Sequence, residues 1–564
     1  MKNRLSYITK GWVGVLLPFY LFTFLPFCAT AQNKVPEAVV DDNGVVDNTG
    51  DSIAKANTAR PVPGSTRKGS NPVAFYIGDS TMRNGTLGNG NNGQWGWGFF
   101  IGNYFDDNKI TVENQALGGM STRTYYNKLW PAVREALQPG DWVIVSLGHN
   151  DNGPYDSGRA RACLSGIGND SLEVTIQVAD GEHQSAPGVK ETVYSYGGYM
   201  RRYIAEARAK GANVILMSLT PRNAYEKNGK TVRKKQSKWL QEIAKEQNVA
   251  FVDLNEISGQ KMDSYSPWKK QYLFHKDKIH TSRFGAEMNA RSAAEGIAAC
   301  DHPSLTPLKA MMVNVELPME KPKRQEGKPV VFITGDSTVK NQDKKEDGMW
   351  GWGSQAYTVF DADKITVANC AKSGRSTRTF LNEGRWEKVY NALQPGDFVI
   401  IEFGHNDQAP TNKKPYRGTI REAKDTCKVY KMEGTGKYEL VYSFGWYLKK
   451  FIDDVREKGA TPILVSLTPR NRWKAETEGA PTKIERRMKD LGKWYREVAA
   501  ETGVEFIDLH NTAADFYDSI GEEASKEYFM PDRTHTSKLG AQQNAQNLAK
   551  ALRDANSSLV KYLK

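Results

Sequence analysis

The sequence predicts an α/β protein made of two tandem three-layer α/β/α sandwiches, each built on a five-stranded parallel sheet, and three observations carry that prediction. Short apolar runs alternate with stretches of helical periodicity through most of the chain, the pattern of parallel strands joined by helical crossovers. The pattern is written twice, at a spacing of roughly 255 residues that is far too long for a solenoid unit. The first apolar run of each copy, 73–77 and 330–334, ends in the same four residues, Gly78-Asp79-Ser80-Thr81 and Gly335-Asp336-Ser337-Thr338. A chain of 564 residues also exceeds the roughly 250–300 at which single cores stop growing, so two large domains fit its length.

Taken from the N-terminus, Lys2, Arg4 and Lys10 precede an apolar stretch from Trp12 to Phe27, and Ala29-Thr30-Ala31 supplies a small-residue cleavage site. Residues 1–31 are read as a secretory signal peptide, too short in its apolar part for a span. The mature chain has no later run long enough to cross a bilayer, and the expectation is a secreted or periplasmic protein. Residues 32–71 show little periodicity and read as a flexible leader.

The first domain, 72–299, has strand-like runs at 73–77, 110–113, 142–147, 214–219 and 250–254. Helical patterns lie at 97–104, 126–137, 198–209, 234–247 and 282–298. Five strands in this alternation suggest a flavodoxin-like sheet covered on both faces. Residues 300–327 hold several prolines and charges and read as a linker, with Met311 to Val315 as a possible edge strand. The second domain, 328–555, repeats the order and leaves 556–564 as a tail. Trp95-Gly96-Trp97-Gly98 recurs as Trp350-Gly351-Trp352-Gly353, Ser121-Thr122-Arg123-Thr124 as Ser376-Thr377-Arg378-Thr379, and Gln138-Pro139-Gly140-Asp141 as Gln394-Pro395-Gly396-Asp397. Ser218-Leu219-Thr220-Pro221-Arg222-Asn223 recurs as Ser466-Leu467-Thr468-Pro469-Arg470-Asn471.

The formal net charge is +12, and loss of residues 1–31 takes away three bases and no acid, leaving +9. That field favours polyanions. No long basic run with interleaved aromatics points to nucleic acid, and acidic polysaccharide is the polyanion that a secreted protein meets. Cys163, Cys300, Cys370 and Cys427 remain after cleavage, and no pair has metal-ligand spacing. They are expected to be buried thiols or at most an incidental bridge.

Chemistry concentrates where the two copies agree at polar positions. A serine just past the carboxyl end of a strand stands where open α/β sheets keep their sites, which makes Ser80 and Ser337 candidate nucleophiles. In Gly118-Gly119-Met120-Ser121 and Ser373-Gly374-Arg375-Ser376 only Gly119 and Gly374 agree as glycine, and a glycine N–H can approach a substrate oxygen closely. Gly148-His149-Asn150-Asp151 matches Gly404-His405-Asn406-Asp407 after the third strand, where the Asn150 and Asn406 amides can donate toward the same opening. Asp277-Lys278-Ile279-His280 and Asp532-Arg533-Thr534-His535 place a carboxylate three residues before one of the chain's eight histidines, ahead of the last helix. Such a carboxylate fixes the tautomer of an imidazole that takes a proton from serine. The set reads as a serine hydrolase: Ser80, His280 and Asp277 for proton relay, with the N–H groups of Ser80 and Gly119 and the Asn150 side chain as an oxyanion hole. Ser337, His535, Asp532, Gly374 and Asn406 repeat it.

On these blocks both halves resemble the SGNH (GDSL-type) hydrolases, over about 72–299 and 328–555. Gly-Asp-Ser-Thr, Gly374-Arg375-Ser376, Gly-His-Asn-Asp and Asp-x-x-His-Thr-Ser together resemble the rhamnogalacturonan acetylesterases of carbohydrate esterase family 12. The resemblance implies removal of acetyl groups from acetylated pectic polysaccharide, with no metal and no organic cofactor. Met120 departs from the arginine often found there, and the loops after Ser80 and Ser337 differ, one neutral and one charged, so the two sites are expected to prefer different acetyl positions or pectic chains. A short-chain ester or lipid hydrolase of the same superfamily, or a carbohydrate-binding protein with one inactive domain, are the competing readings. Trp95, Trp97, Trp350 and Trp352 are expected to pack on the sheet rather than stack on sugar. Arg123 and Arg378 either meet a uronate or tie down the loop that carries the glycine, and His149 and His405 are expected to orient their own loops.

Overall fold

The computed structural model describes residues 40–46, 60–84, 93–177, 186–313, 324–340, 347–475, 477–486 and 490–564. The expected signal peptide lies outside the described residues, as do most of the two loops that follow Ser80 and Ser337. Each half holds a parallel sheet of five strands, numbered here β1 to β10: Val73–Gly78, Thr111–Asn114, Trp142–Ser146, Asn213–Met217 and Ala250–Val252, then Val330–Gly335, Thr366–Asn369, Phe398–Glu402, Thr461–Val465 and Glu505–Ile507. The spatial orders are β2-β1-β3-β4-β5 and β7-β6-β8-β9-β10. This is the doubly wound arrangement expected, with its switch point between β1 and β3 and between β6 and β8. Register sets Gly78 beside Ser146 and Gly335 beside Glu402, so the Gly-Asp-Ser-Thr turns leave the sheet at that crevice.

The strands read as continuous apolar runs because both faces are covered. Val73, Phe75 and Ile77 pack with Tyr199, Tyr203 and Ile204 on one side, while Ala74 and Tyr76 pack with Trp97, Ala293 and Ile297 on the other. Phe332 and Ile401 against Phe451, and Ile333 and Ile400 against Trp352 and Leu548, repeat the two layers. Truncating a core aromatic such as Phe75 costs about 3–5 kcal/mol.

Several expected bounds shift for local reasons. The helical pattern at 97–104 forms two 3-10 turns, Trp97–Phe99 and Ile101–Tyr104, each with a glycine inside it and separated at Phe100. A capping box at Ser121 and Thr124 starts a helix at Thr122, and a break at Leu129 ahead of Pro131 begins a second at Trp130, in place of one helix from 126. Asp253 caps the helix Leu254–Ser264, which ends β5 earlier than expected. Three antiparallel pairs, Ser171–Thr175 with Lys190–Tyr194, Cys427–Lys431 with Tyr438–Tyr442 and Trp473–Ala475 with Thr482–Ile484, stand outside the sheets.

The segments outside the two expected domains are largely structural where they are described. In the leader, Val46 N–H donates to Val429 O at 2.8 Å and Lys431 N–H to Gly44 O at 2.8 Å, an antiparallel bridge of Val45 to Tyr430 beside the second hairpin. Arg67 forms two bonds to the buried Asp141, at 2.8 and 2.6 Å, and Arg324 does the same to Asp397 at 2.9 and 2.6 Å. Those aspartates also accept from Val73 and Val330 N–H, which explains the repeated Gln-Pro-Gly-Asp. Met311 and Val313 pair with the turn at 104–106, not with the sheet as an edge strand, and Leu305 and Leu308 are buried. The tail repeats this cap, with Leu559 and Leu563 buried and Asp361 N–H donating to Tyr562 O at 2.8 Å.

The halves are joined through the helices Pro267–Tyr272 and Arg283–Ala299 of the first and Phe444–Glu457 of the second. Trp446 stacks on Phe284 and on Tyr442, with ring centroids at 5.5 and 3.8 Å. Buried beside them, Lys450 donates to Asp454 at 2.8 Å and to Tyr272 Oη at 3.2 Å, while Lys269 pairs with Glu457 and, at 3.5 Å, with Asp454. Among the described residues the four cysteines are free thiols, and no helix is long and apolar enough to cross a membrane.

Candidate active site

Each site is assembled on one turn. After β1, the Asp79 carboxylate accepts the Thr81 N–H at 2.8 Å and the Thr81 hydroxyl at 2.9 Å, and Met82 and Arg83 N–H close back on Asp79 O. Asp336 and Thr338 repeat these bonds at 2.9 and 3.0 Å. The turn lifts Ser80 and Ser337 above the sheet ends with their own N–H groups unclaimed by any acceptor among the described residues.

Histidine arrives from about two hundred residues away. His280 Nε2 lies 2.8 Å from Ser80 Oγ and its Nδ1 2.6 Å from Asp277 Oδ2. The other Asp277 oxygen accepts the N–H groups of Ile279 and His280, both at 2.7 Å, so the i, i+3 pair is one closed turn. In the second half the distances are 2.8 Å for His535 to Ser337 and 2.6 Å for His535 to Asp532. Burial alone would raise the Asp277 and Asp532 carboxyls, but the histidine and backbone donors together hold both below the usual carboxylate range.

The repeated Trp-Gly-Trp-Gly is a clamp across these two turns. Trp95 N–H donates to Thr281 O at 2.9 Å and the Thr281 hydroxyl to Trp95 O at 2.8 Å, while Trp97 N–H donates to Thr81 O at 3.1 Å. Gly96 must be glycine, because a Cβ there would fall 2.2 Å from Arg83 O. Trp97 and Trp352 are fully buried against the sheet, as expected.

Opposite the histidine, Gly119 and Gly374 take φ of +81° and +74°, a conformation that favours glycine, and their N–H groups also have no acceptor among the described residues. Asn150 Nδ2 donates to Met120 O at 2.9 Å, which sets its amide beside that turn. Asp151 ties the two loops together by accepting the N–H and hydroxyl of Thr122 at 2.7 and 2.6 Å. Thus Ser80, Gly119, Asn150, Asp277 and His280 come together in one place, and their counterparts do so in the other half.

The neighbouring histidines carry no charge at neutral pH. Burial, with help from Arg222, Lys234 and His280, pushes His149 down to about 3, and burial pushes His405 down to about 4. His149 Nε2 sits 3.3 Å from the Thr220 hydroxyl. Arg123 and Arg378 are fully buried, and of their two expected roles the structure fits the tie. Arg123 bonds Glu191 at 2.9 and 2.6 Å and Tyr155 O at 2.7 Å, and Arg378 bonds both oxygens of Glu439 at 2.8 and 2.6 Å.

Two features escape the motif reading. Arg161 and Arg417, each eleven residues past the asparagine, reach the glycine and asparagine side of the site: Arg161 Nη1 donates to Gly119 O at 3.3 Å and Arg417 Nη1 to Asn406 Oδ1 at 2.8 Å. Their identical offset from Asn150 and Asn406 was the available signal. The sites also differ beneath the serine. Glu402, facing Trp352 Nε1 at 2.6 Å, replaces Ser146, and among the described residues the Trp97 indole N–H has no partner. Burial, together with the Asp336 charge, pushes the Glu402 carboxyl up to about 8. Asn406 Nδ2 lies 3.2 Å from both Asp336 Oδ2 and Arg375 O, a contact with the aspartate that has no counterpart at Asn150. Among the described residues no group of three or more His, Cys, Asp or Glu is placed to hold a metal ion.

The chain is 31% identical over 251 residues to the rhamnogalacturonan acetylesterase RhgT of Bacillus subtilis (strain 168), covering 42% of this chain and 95% of that protein. It is 30% identical over 226 residues to a rhamnogalacturonan acetylesterase of Emericella nidulans, covering 39% of this chain and 84% of that protein. It is 31% identical over 239 residues to the probable rhamnogalacturonan acetylesterase YesY of Bacillus subtilis (strain 168), covering 41% and 95%. The model of the GDSL-like lipase/acylhydrolase family matches twice, at residues 76–288 and 333–543. With a family match on each half, each around its own Ser–His–Asp arrangement, the chain belongs to the GDSL-like lipase/acylhydrolase family in two tandem copies.

Proposed function

We propose that this protein is a secreted or periplasmic esterase that removes acetyl groups from acetylated pectic polysaccharide, rhamnogalacturonan in particular, at two serine-nucleophile sites. The observation that carries the reading is the Ser–His–Asp line at 2.8 and 2.6 Å present in each half. The polysaccharide comes from the relatives, whose names state that activity at about 30% identity, and the export from the basic and apolar start of the chain.

In this mechanism Ser80 Oγ bonds to the acetyl carbonyl carbon as its proton passes to His280 Nε2. Asp277 holds the other imidazole proton on Nδ1 and stabilises the imidazolium. The carbonyl oxygen becomes an oxyanion held by the Ser80 and Gly119 N–H groups and the Asn150 amide, and one such donor is worth about 3–4 kcal/mol in the transition state. Collapse breaks the bond to the sugar oxygen, which takes the proton from His280 and leaves an acetyl-serine. Water then repeats the sequence, giving its proton to His280 and releasing acetate and Ser80. The atoms balance with water alone. Ser337, His535, Asp532, Gly374 and Asn406 perform the same steps in the second half.

Acetate release from acetylated rhamnogalacturonan, compared with hydrolysis of long-chain aryl esters, tests the reading. Preference for the polysaccharide is expected. Preference for the long chains would assign the protein to lipid ester hydrolysis within the same family.

A further inference from the structure

The repeated Ser-Leu-Thr-Pro-Arg-Asn takes no part in the proton relay, yet it lies against it. The motif follows β4 and β9, and its last residue is bonded to the loop between the candidate catalytic Asp and His. Asn223 N–H donates to Lys278 O at 2.9 Å, and Asn471 N–H to Arg533 O at 2.8 Å. The preceding residues, Arg222 and Arg470, therefore stand at the histidine side of each site. Arg222 acts electrostatically on His149, and Arg470 feels the charges of Asp336 and Asp532.

What distinguishes these two arginines is that their side chains are partly buried and unpaired. Among the described residues neither guanidinium has a hydrogen bond, an ion pair or a ring contact, and Arg222 Nε is shielded from solvent with no acceptor. Other arginines that both copies keep are bonded: Arg67 and Arg324 to aspartates, Arg123 and Arg378 to glutamates, and Arg161 and Arg417 to Gly119 O and Asn406 Oδ1. A partly desolvated cation with no counter-ion is costly. Both copies nevertheless keep it where the next residues diverge, Ala224-Tyr225 in one and Arg472-Trp473 in the other. A planar guanidinium with free donors matches a carboxylate in two-point geometry.

We propose that Arg222 and Arg470 bind a carboxylate of the substrate, so that each site takes esters on a uronate or on a sugar flanked by one. This rests on the esterase reading and assigns the residues that read the acid groups of its pectic substrate.

The test uses the full chain with one site silenced, Ser337→Ala to read the first and Ser80→Ala to read the second. Digalacturonate and its carboxyl-reduced, neutral counterpart are compared as competitive inhibitors of aryl acetate hydrolysis. Digalacturonate is expected to inhibit more strongly. Arg222→Gln and Arg470→Gln should weaken its inhibition by about tenfold to a hundredfold relative to the neutral sugar, the worth of a charge-assisted bond. Arg222→Lys and Arg470→Lys should recover part of the difference. Equal inhibition by the two disaccharides, or an unchanged ratio in the glutamine variants, would overturn the proposal. Charge-dependent inhibition without acetate release from rhamnogalacturonan would refute the pectic reading and leave the carboxylate site standing, so the two failures are distinct.

Discussion

Asp277→Asn, made in a Ser337→Ala background so that only the first site turns over, probes the proton relay at its most defined contact. Asparagine is nearly isosteric, and its Oδ1 keeps the two 2.7 Å bonds from the Ile279 and His280 N–H groups. Its Nδ2 then faces His280 Nδ1 across the 2.6 Å contact and donates where a carboxylate accepted. The imidazole must carry its proton on Nε2, pointed at Ser80 Oγ, and the lone pair that takes the serine proton is gone. A wrong tautomer of this kind costs about 10⁴-fold in kcat, or about 5.5 kcal/mol of barrier. The Asp277 side chain is 41% exposed, so water replaces part of the contact and the expected loss is about 10³- to 10⁴-fold. The fall belongs in kcat for aryl acetate hydrolysis, with KM little changed and the thermal midpoint nearly unmoved. A loss below about tenfold, or one confined to KM, would refute the relay.

Two further perturbations read the second half. Glu402 is raised to about 8 from an ordinary 4.5, so the native state holds a proton that the unfolded chain releases between these values. Stability contributed by the protonated group is fully present below pH 4.5 and is lost as pH rises toward 8; Glu402→Gln should flatten this slope in denaturant unfolding, and an unchanged slope would count against it. Asp454→Ala leaves the buried Lys450 without its carboxylate and should destabilise the protein by about 3–5 kcal/mol in the same assay, whereas a cost below about 1 kcal/mol would mean that the lysines at the domain junction find other partners.

The central strands were legible because they are apolar on both faces, and β1, β5, β6 and β10 also end at a glycine or a capping aspartate. Periodicity could not place the break at Leu129, where Pro131 starts a new helix, nor the two 3-10 turns at 97–104, because glycine and proline act there through local geometry. The hairpins lie off the sheets, and their strands carry polar and charged residues that leave no continuous apolar run to mark them. For the site, the internal repeat did what an alignment does: chance agreement at Ser, Gly, Asn, Asp and His in one order is improbable, and the folding brings those five together twice. Contacts made by a single side chain at a distance left no such mark. Trp-Gly-Trp-Gly read as packing, yet it clamps Thr81 and Thr281, and Gly96 is needed for the clamp to pass Arg83 O. Arg222 and Arg470 were visible as repeated letters, but their lack of a partner exists only in three dimensions.

The most direct test of two working sites is acetate release from acetylated rhamnogalacturonan by the unaltered protein, Ser80→Ala, Ser337→Ala and the double variant. Each single variant is expected to keep the activity of the other site, and the double variant to lose acetate release altogether. Full activity in the double variant would contradict both nucleophiles, and complete loss from one single variant would reduce the chain to one active site.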